Sequence, residues 1–380
     1  MRGKKRLLPL CFIAVLVAIT LSAVISDPAG AKSVLRQGWD HPTVLAVELE
    51  DFLRENLPFR EKLRGAVLAL RIAGGAVEQD GIFLAGDGLI PDLTVTADTT
   101  VHRGNTRQIL AAIEETSSPA CFMLIPTACA IHRDKLPDYA PLYNQRGYIE
   151  NTYKQFYGSA TTVDAYNALL YAGSDYLYYR TQDNLTSFGG YALYQALAAR
   201  LGFVPRDLSQ FEVSYDAHDF YGDLYQRWGG GGVRPDVITT YREVGGGTSS
   251  RVLSWQRFSQ KTYYTLYPRE AAVTGEELNI ILGGGAPRIE IETEGTRSST
   301  LLVLGDRTAL SYLPFLAGHY QRITFLDFSL MTASEISAFR PDDYTQVLFA
   351  YSLDTYLNTE HPAKASELGR PAEGEDKGRM

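Results

Sequence analysis

The sequence predicts an α/β fold built on a parallel sheet, and three observations carry the prediction. Four short apolar runs, residues 121–125, 301–304, 323–326 and 347–350, interrupted only by Thr324, read as strands buried on both faces. Helical patterns at 103–116, 145–156, 187–201, 308–316 and 333–338 lie between or beside them. Strands separated by helices need crossover connections, and these produce parallel pairing. Finally, 380 residues with 45% hydrophobic and 21% charged side chains supply a large core and exclude disorder of the whole chain.

From the N-terminus, Arg2, Lys4, Lys5 and Arg6 precede an uncharged stretch, residues 7–26. At about 1.5 Å per residue a helix of that length crosses a hydrocarbon core of about 30 Å. The basic flank belongs in the cytoplasm and the remainder outside it. Ala29-Gly30-Ala31 also fits a cleavage pattern, so two readings stand. One is an uncleaved signal anchor at the cell membrane; the other is a cleaved signal peptide and a secreted chain. The run exceeds the usual apolar core of a signal peptide, about 7–15 residues, which favours the anchor.

Residues 43–73 repeat apolar side chains at helical spacing on both sides of Pro58 and stop at Gly74-Gly75. Residues 81–90 read as a hairpin around Gly86-Asp87-Gly88. The helix at 187–201 takes Ser187 as its N-cap and Gly202 as its stop. Residues 203–298 hold glycine runs at 229–232, 245–247 and 283–285 and the alternating stretch 288–292, the marks of a β-rich insertion with flexible connections. No Lys-Ser/Thr follows those glycines, so none makes a phosphate loop. The last twenty residues carry four basic and four acidic charges and little that is apolar. The expected divisions are therefore 1–31, basic flank and anchor; 32–95, helical stalk and hairpin; 96–360, the α/β domain with its insertion at about 203–298; and 361–380, a disordered tail.

A net charge of -8 argues against a nucleic-acid partner. Three cysteines and six histidines leave little for a metal site, and no cofactor or metal is expected. Cys121 and Cys129 both lie in the exported part, where they either pair or remain free thiols. The 24 tyrosines cluster at Tyr171, Tyr176, Tyr178 and Tyr179 and at Tyr263, Tyr264 and Tyr267. Half-buried sheet positions are their commoner use; a sugar-stacking surface is the alternative.

One segment stands out chemically. The apolar run 301–304 passes into Gly305-Asp306-Arg307-Thr308 and then a helical pattern. Sites in α/β sheets form at the carboxyl ends of strands. Asp306 reads as the cap of the next helix, and Arg307 either meets solvent or pairs with a carboxylate. His319 reads as a capping or surface residue, and His132 and His218 as ordinary polar positions.

Gly305-Asp306-Arg307 resembles the Gly-Asp-Ser block of SGNH-type hydrolases. The continuation through residues 312–320 and 323–327 is similar to the DHHW family, a relative of the exported alginate O-acetyltransferase group. Tyr178-Tyr179-Arg180-Thr181-Gln182-Asp183-Asn184-Leu185-Thr186-Ser187 is similar to the family's Tyr-Tyr-Arg-Thr segment with its Asp-His-His-Trp. Residues 56–60, 81–89, 126–127, 135–137, 219–222 and 233–236 add weaker matches, so the resemblance covers most of 40–360.

The resemblance implies an SGNH-hydrolase-like (flavodoxin-like) parallel sheet with flanking helices. It also implies a triad of Asp, His and Ser. In this chain those positions hold Gln182, Asn184 and Arg307, and the Trp position holds Leu185. Acyl transfer needs a nucleophile, a base to take its proton and a carboxylate to orient the base. Gln182 and Asn184 do not titrate, and Arg307 stays protonated. The expectation is a catalytically silent centre, a pseudoenzyme, with Asp183, Asp306 and Arg307 as a candidate ligand pocket and Asp183 paired to Arg307. By resemblance the chain serves cell-surface polysaccharide O-acetylation as an accessory or glycan-binding component, with a membrane O-acyltransferase and the polysaccharide as partners. The alternatives are an active O-acetyltransferase or esterase built on Asp183, Asp306 or a distant histidine, and a structural envelope protein.

Overall fold

The computed structural model describes residues 17, 20–22, 24–40, 52, 60–94, 100–174, 176–246, 249–257, 259–273, 276–294 and 298–370. Contacts divide the chain into two compact units, residues 1–76 with 229–232, and 77–228 with 233–380. In the first unit, helices span Pro28–Asp40 and Arg60–Ala73. The Asp27 carboxylate accepts the Gly30 amide at 2.9 Å, supplying one of the partners a helix start lacks. The expected membrane anchor at 7–26 falls mostly outside the described residues, as does most of the helical pattern expected at 43–59. Among the described residues no helix is long and apolar enough to cross a membrane.

Among its described residues the second unit contains thirteen strands: Glu78–Gln79 (β1), Ile82–Ala85 (β2), Gly88–Pro91 (β3), Ala120–Ile125 (β4), Thr161–Val163 (β5), Phe211–Phe220 (β6), Asp236–Glu243 (β7), Ser250–Gln256 (β8), Ser259–Tyr263 (β9), Arg288–Thr293 (β10), Thr300–Gly305 (β11), Arg322–Asp327 (β12) and Gln346–Ser352 (β13). Eight form the main sheet in the order β5-β4-β13-β11-β12-β10-β8-β9. The first five of that order run parallel, and β10, β8 and β9 continue antiparallel. The four apolar runs are the four central parallel strands. Phe122, Leu302, Leu326 and Phe349 are fully buried, as strands covered by helices on both faces require.

The sheet is mixed rather than purely parallel, because three strands of the expected insertion extend the main sheet beyond β12. The insertion's other two described strands, β6 and β7, pair as a two-stranded ribbon, and β1, β2 and β3 form a separate three-stranded sheet. The hairpin β2–β3 turns at Gly86-Asp87 as its sequence predicts, but it packs with the α/β unit and not with the stalk.

Two further expectations are corrected. Thr186, not Ser187, caps the helix Ser187–Leu201; its hydroxyl accepts the Gly189 amide, while Gly202 ends the helix with a left-handed φ of 75°. The predicted disordered tail begins too early. His361–Glu367 form a short helical turn, and Ala365 and Leu368 are buried. Composition missed this because two or three apolar side chains suffice to dock a short segment; residues 371–380 lie outside those described.

The glycines at 283–285 also do more than connect strands. Gly283 has φ +83°, and a Cβ there would sit 2.4 Å from the Tyr263 ring. Its lack of a side chain lets the turn close against β9.

Candidate functional site

The carboxyl ends of β4, β11 and β13 lie side by side, and the site forms there, as the parallel topology dictates. Gly305 ends β11 against β13; a Cβ on it would meet the Ala350 carbonyl oxygen at 2.4 Å. Asp306 then caps the following turn, accepting the Thr308 amide at 2.9 Å through one oxygen. Its other oxygen accepts the Ser352 amide at 2.7 Å. One carboxylate therefore ties the end of β11 to the end of β13 and leaves Arg307 standing beyond it.

The loop from Tyr178 to Ser187 supplies the opposite wall. It is closed by a bridge between Tyr178 and Leu185 and by the Asn184 amide donating to the Gln182 carbonyl at 2.9 Å. The Tyr178 hydroxyl donates to the Pro126 carbonyl at 2.6 Å, pinning the loop to the end of β4. Behind it sits fully buried Asp236 from β7. Asp236 accepts the Arg180 and Thr181 amides at 2.8 Å each and the Tyr176 hydroxyl at 2.6 Å. The Thr181 hydroxyl adds a fourth bond at 2.5 Å. Arg180 reaches outward to Asp87 of the hairpin turn at 3.1 Å.

Between these walls lies a cavity of 190 Å³ lined by Asp183, Asn184, Leu185, Asp306, Arg307, Thr308, Asp354, Thr355 and Ser352, with residues 125–127 and Tyr178. Two of the three predicted triad positions, Asn184 and Arg307, thus meet in one pocket. The third does not. Gln182 turns away, and its side-chain oxygen accepts the Asp223 amide at 3.1 Å. Asn184 spends its own oxygen on the Leu185 amide at 2.9 Å. Leu185, at the Trp position, is buried and lines the pocket.

The expected Asp183–Arg307 ion pair is absent; among the described residues no carboxylate pairs with Arg307. Both residues are exposed, and both line the pocket. Asp183 faces other acids. Loss of water in the concave site, then repulsion from Asp354, Asp223 and Asp306, raises its pKa to about 6 against the pull of Arg227. Because Asp183 retains surface exposure, that desolvation is partial.

A second cavity of 210 Å³ shares Asp306, Arg307 and Thr355 with the first and adds Asp327, Tyr351 and His361. Burial is the leading cause that raises the pKa of Asp327. Among the described residues no set of three or more His, Cys, Asp or Glu side chains is arranged to hold a metal.

His319 is neither a cap nor a surface residue. It is 8% exposed, stacks on Phe203 at 4.1 Å between ring centres, and bonds the Tyr194 hydroxyl at 2.8 Å. His132 is buried edge-on to Tyr178. Cys121 and Cys129 are free and buried. Sequence reasoning missed Asp236, Asp354 and Ser352. The first was visible only inside the weak match at 233–236, and the other two follow an apolar strand with no local motif.

The pocket therefore holds hydroxyls and carboxylates but no imidazole. Asn184 takes up no proton near neutrality, and Arg307 gives none up. Asp183, its pKa raised to about 6, can take up a proton near neutrality.

No protein-family model matches the chain, and no curated protein matches it. Solved structures do. A DHHW family protein from Eubacterium siraeum is similar over 77% of this chain and 97% of its own, at 16% identity and a TM-score of 0.61. PatB1 from Bacillus cereus, determined with a sulfonyl adduct, is similar over 75% of this chain and 98% of its own, at 16% identity and a TM-score of 0.62. The O-acetyltransferase domain of AlgJ from Pseudomonas putida aligns at 12% identity and a TM-score of 0.46 over 73% of this chain and 93% of its own, too loosely to carry an argument. The resemblance read from Gly305-Asp306-Arg307 and the 178–187 segment is thus met at the level of architecture: this chain has the fold of a DHHW family protein and of PatB1.

Proposed function

We propose that this chain is a non-catalytic member of a polysaccharide O-acetylation system, held at the cell membrane by residues 7–26 with its body outside the cytoplasm. In this reading it engages a cell-surface polysaccharide and works beside a membrane O-acyltransferase. The observation that carries the proposal is the content of the 190 Å³ pocket. It has the position of an acyl-transfer centre at the end of β11, yet presents Asn184 and Arg307 where the chemistry needs a base and a nucleophile. A triad works as a unit, and loss of any member costs orders of magnitude in rate.

A second reading has one observation in its favour. Asp183, with a pKa of about 6, is poised to act as a general base beside the hydroxyls of Thr355 and Ser352. An acetyl-ester assay with acetylxylan separates the two readings. The proposal expects no acetate release by the purified chain, together with co-sedimentation on the polysaccharide. Release that disappears in Asp183→Asn supports the rearranged enzyme instead. A chain that neither releases acetate nor binds any cell-surface polysaccharide is a structural envelope protein.

A further inference from the structure

A second concave surface lies away from the Arg307 pocket. The ribbon β6–β7, the segment 264–267 and the turn at 314–318 enclose a groove of 330 Å³. That is the size range of small-ligand sites. Three tyrosines dominate it. Tyr264 is 82% exposed, Tyr241 is half-buried, and Tyr267 is 4% exposed. The Tyr267 hydroxyl makes no hydrogen bond of normal geometry, although the Tyr241 main chain lies near it. That hydroxyl is sealed from solvent, so a ligand in the groove meets the exposed Tyr264 ring and not this phenol.

Two of the three charged residues that line the groove are already paired. Arg242 pairs with Asp216 at 3.5 Å and lies over the Tyr267 ring at 5.2 Å. Glu243 pairs with Arg206 at 2.5 Å. What remains on offer is the bare aromatic face of Tyr264 and small hydroxyls; that of Thr265 accepts the Tyr267 amide at 3.2 Å and keeps its own proton to donate. A pyranose has the matching chemistry: an apolar C–H face for the ring and hydroxyls for the small polar side chains. An anionic sugar would instead meet Glu212 and Glu243 at the rim.

We propose that this groove is a binding site for a neutral oligosaccharide, with one sugar face stacked on Tyr264. The inference goes beyond the reading above and does not depend on the Arg307 pocket.

Calorimetric titration of the full chain with N-acetylchitohexaose and cellohexaose as neutral probes, and oligogalacturonate as the anionic one, tests it. At least one neutral probe should bind, and oligogalacturonate should bind at least tenfold more weakly. Tyr264→Ala should weaken the neutral probe about tenfold with an unchanged melting temperature, since its ring is mostly in solvent. Arg307→Ala should leave it unchanged. The proposal is overturned if neither neutral probe binds, if Tyr264→Ala binds like the unaltered chain, or if Arg307→Ala rather than Tyr264→Ala abolishes binding. The last result would place the glycan in the other pocket and leave the proposed function standing.

Discussion

The loop from Tyr178 to Ser187 has two sides that differ in kind. Its inner side is saturated: the Asp236 carboxylate takes four hydrogen bonds from Tyr176, Arg180 and Thr181, and Arg180 continues to Asp87. Its outer side, facing the 190 Å³ pocket, holds Asp183 and Asn184 with Arg307 across from them and no ion pair between Asp183 and Arg307. The difference teaches that positioning and chemistry are encoded by separate residues. The frame of this loop is complete, while the position it presents to the pocket carries the amide of Asn184. Such a frame keeps a pocket's shape whether or not the pocket reacts.

The largest effect should come from breaking the inner side. Asp236→Ala strands two amides and two hydroxyls in the core and should cost about 3–5 kcal/mol, read by urea unfolding. Next is the turn that carries Arg307. Gly305→Ala drives a methyl against the Ala350 carbonyl and should cost about 1–3 kcal/mol, again by urea unfolding.

The outer side should respond weakly, and with a pH signature. The Asp183 pKa is raised, so burial opposes its charged form. The native state bears no penalty below the unfolded value of about 4, and loses stability as pH rises from there through about 6. Asp183→Asn should therefore stabilise the chain at pH 7 by less than about 1 kcal/mol, because an exposed carboxylate is screened, and should change nothing at pH 3.5. Thermal melts at the two pH values check the sign. Smallest of all, Arg307→Ala should shift stability by no more than about 0.5 kcal/mol, since its guanidinium is exposed and has no ion pair among the described residues. An Arg307 variant as damaging as Asp236→Ala would erase the distinction between the two sides.

How much of this was legible in the sequence follows from range. Strands β4, β11, β12 and β13 announce themselves because burial on both faces leaves an apolar run, broken in β12 only by Thr324. The mixed character of the sheet was hidden: β8 and β10 alternate like any half-exposed strand, β9 is polar and exposed up to Tyr263, and nothing local says which edge they join. The meeting of Asn184 and Arg307 was legible through motif position, since both follow from loops at the strand ends. The turning away of Gln182 was not, because it depends on the Asp223 amide some forty residues later. Asp236 was hidden for the same reason. Its partners are set by tertiary packing, and an isolated Asp after Pro235 carries no local mark of burial.

The central claim is that no activated nucleophile remains at the end of β11. Intact-mass measurement of the full chain after treatment with a sulfonyl fluoride tests it most directly. The account predicts no stoichiometric adduct. A single adduct mapped to Thr308, Ser352 or Thr355, and lost in Asp183→Asn, would contradict it and make the pocket a working centre.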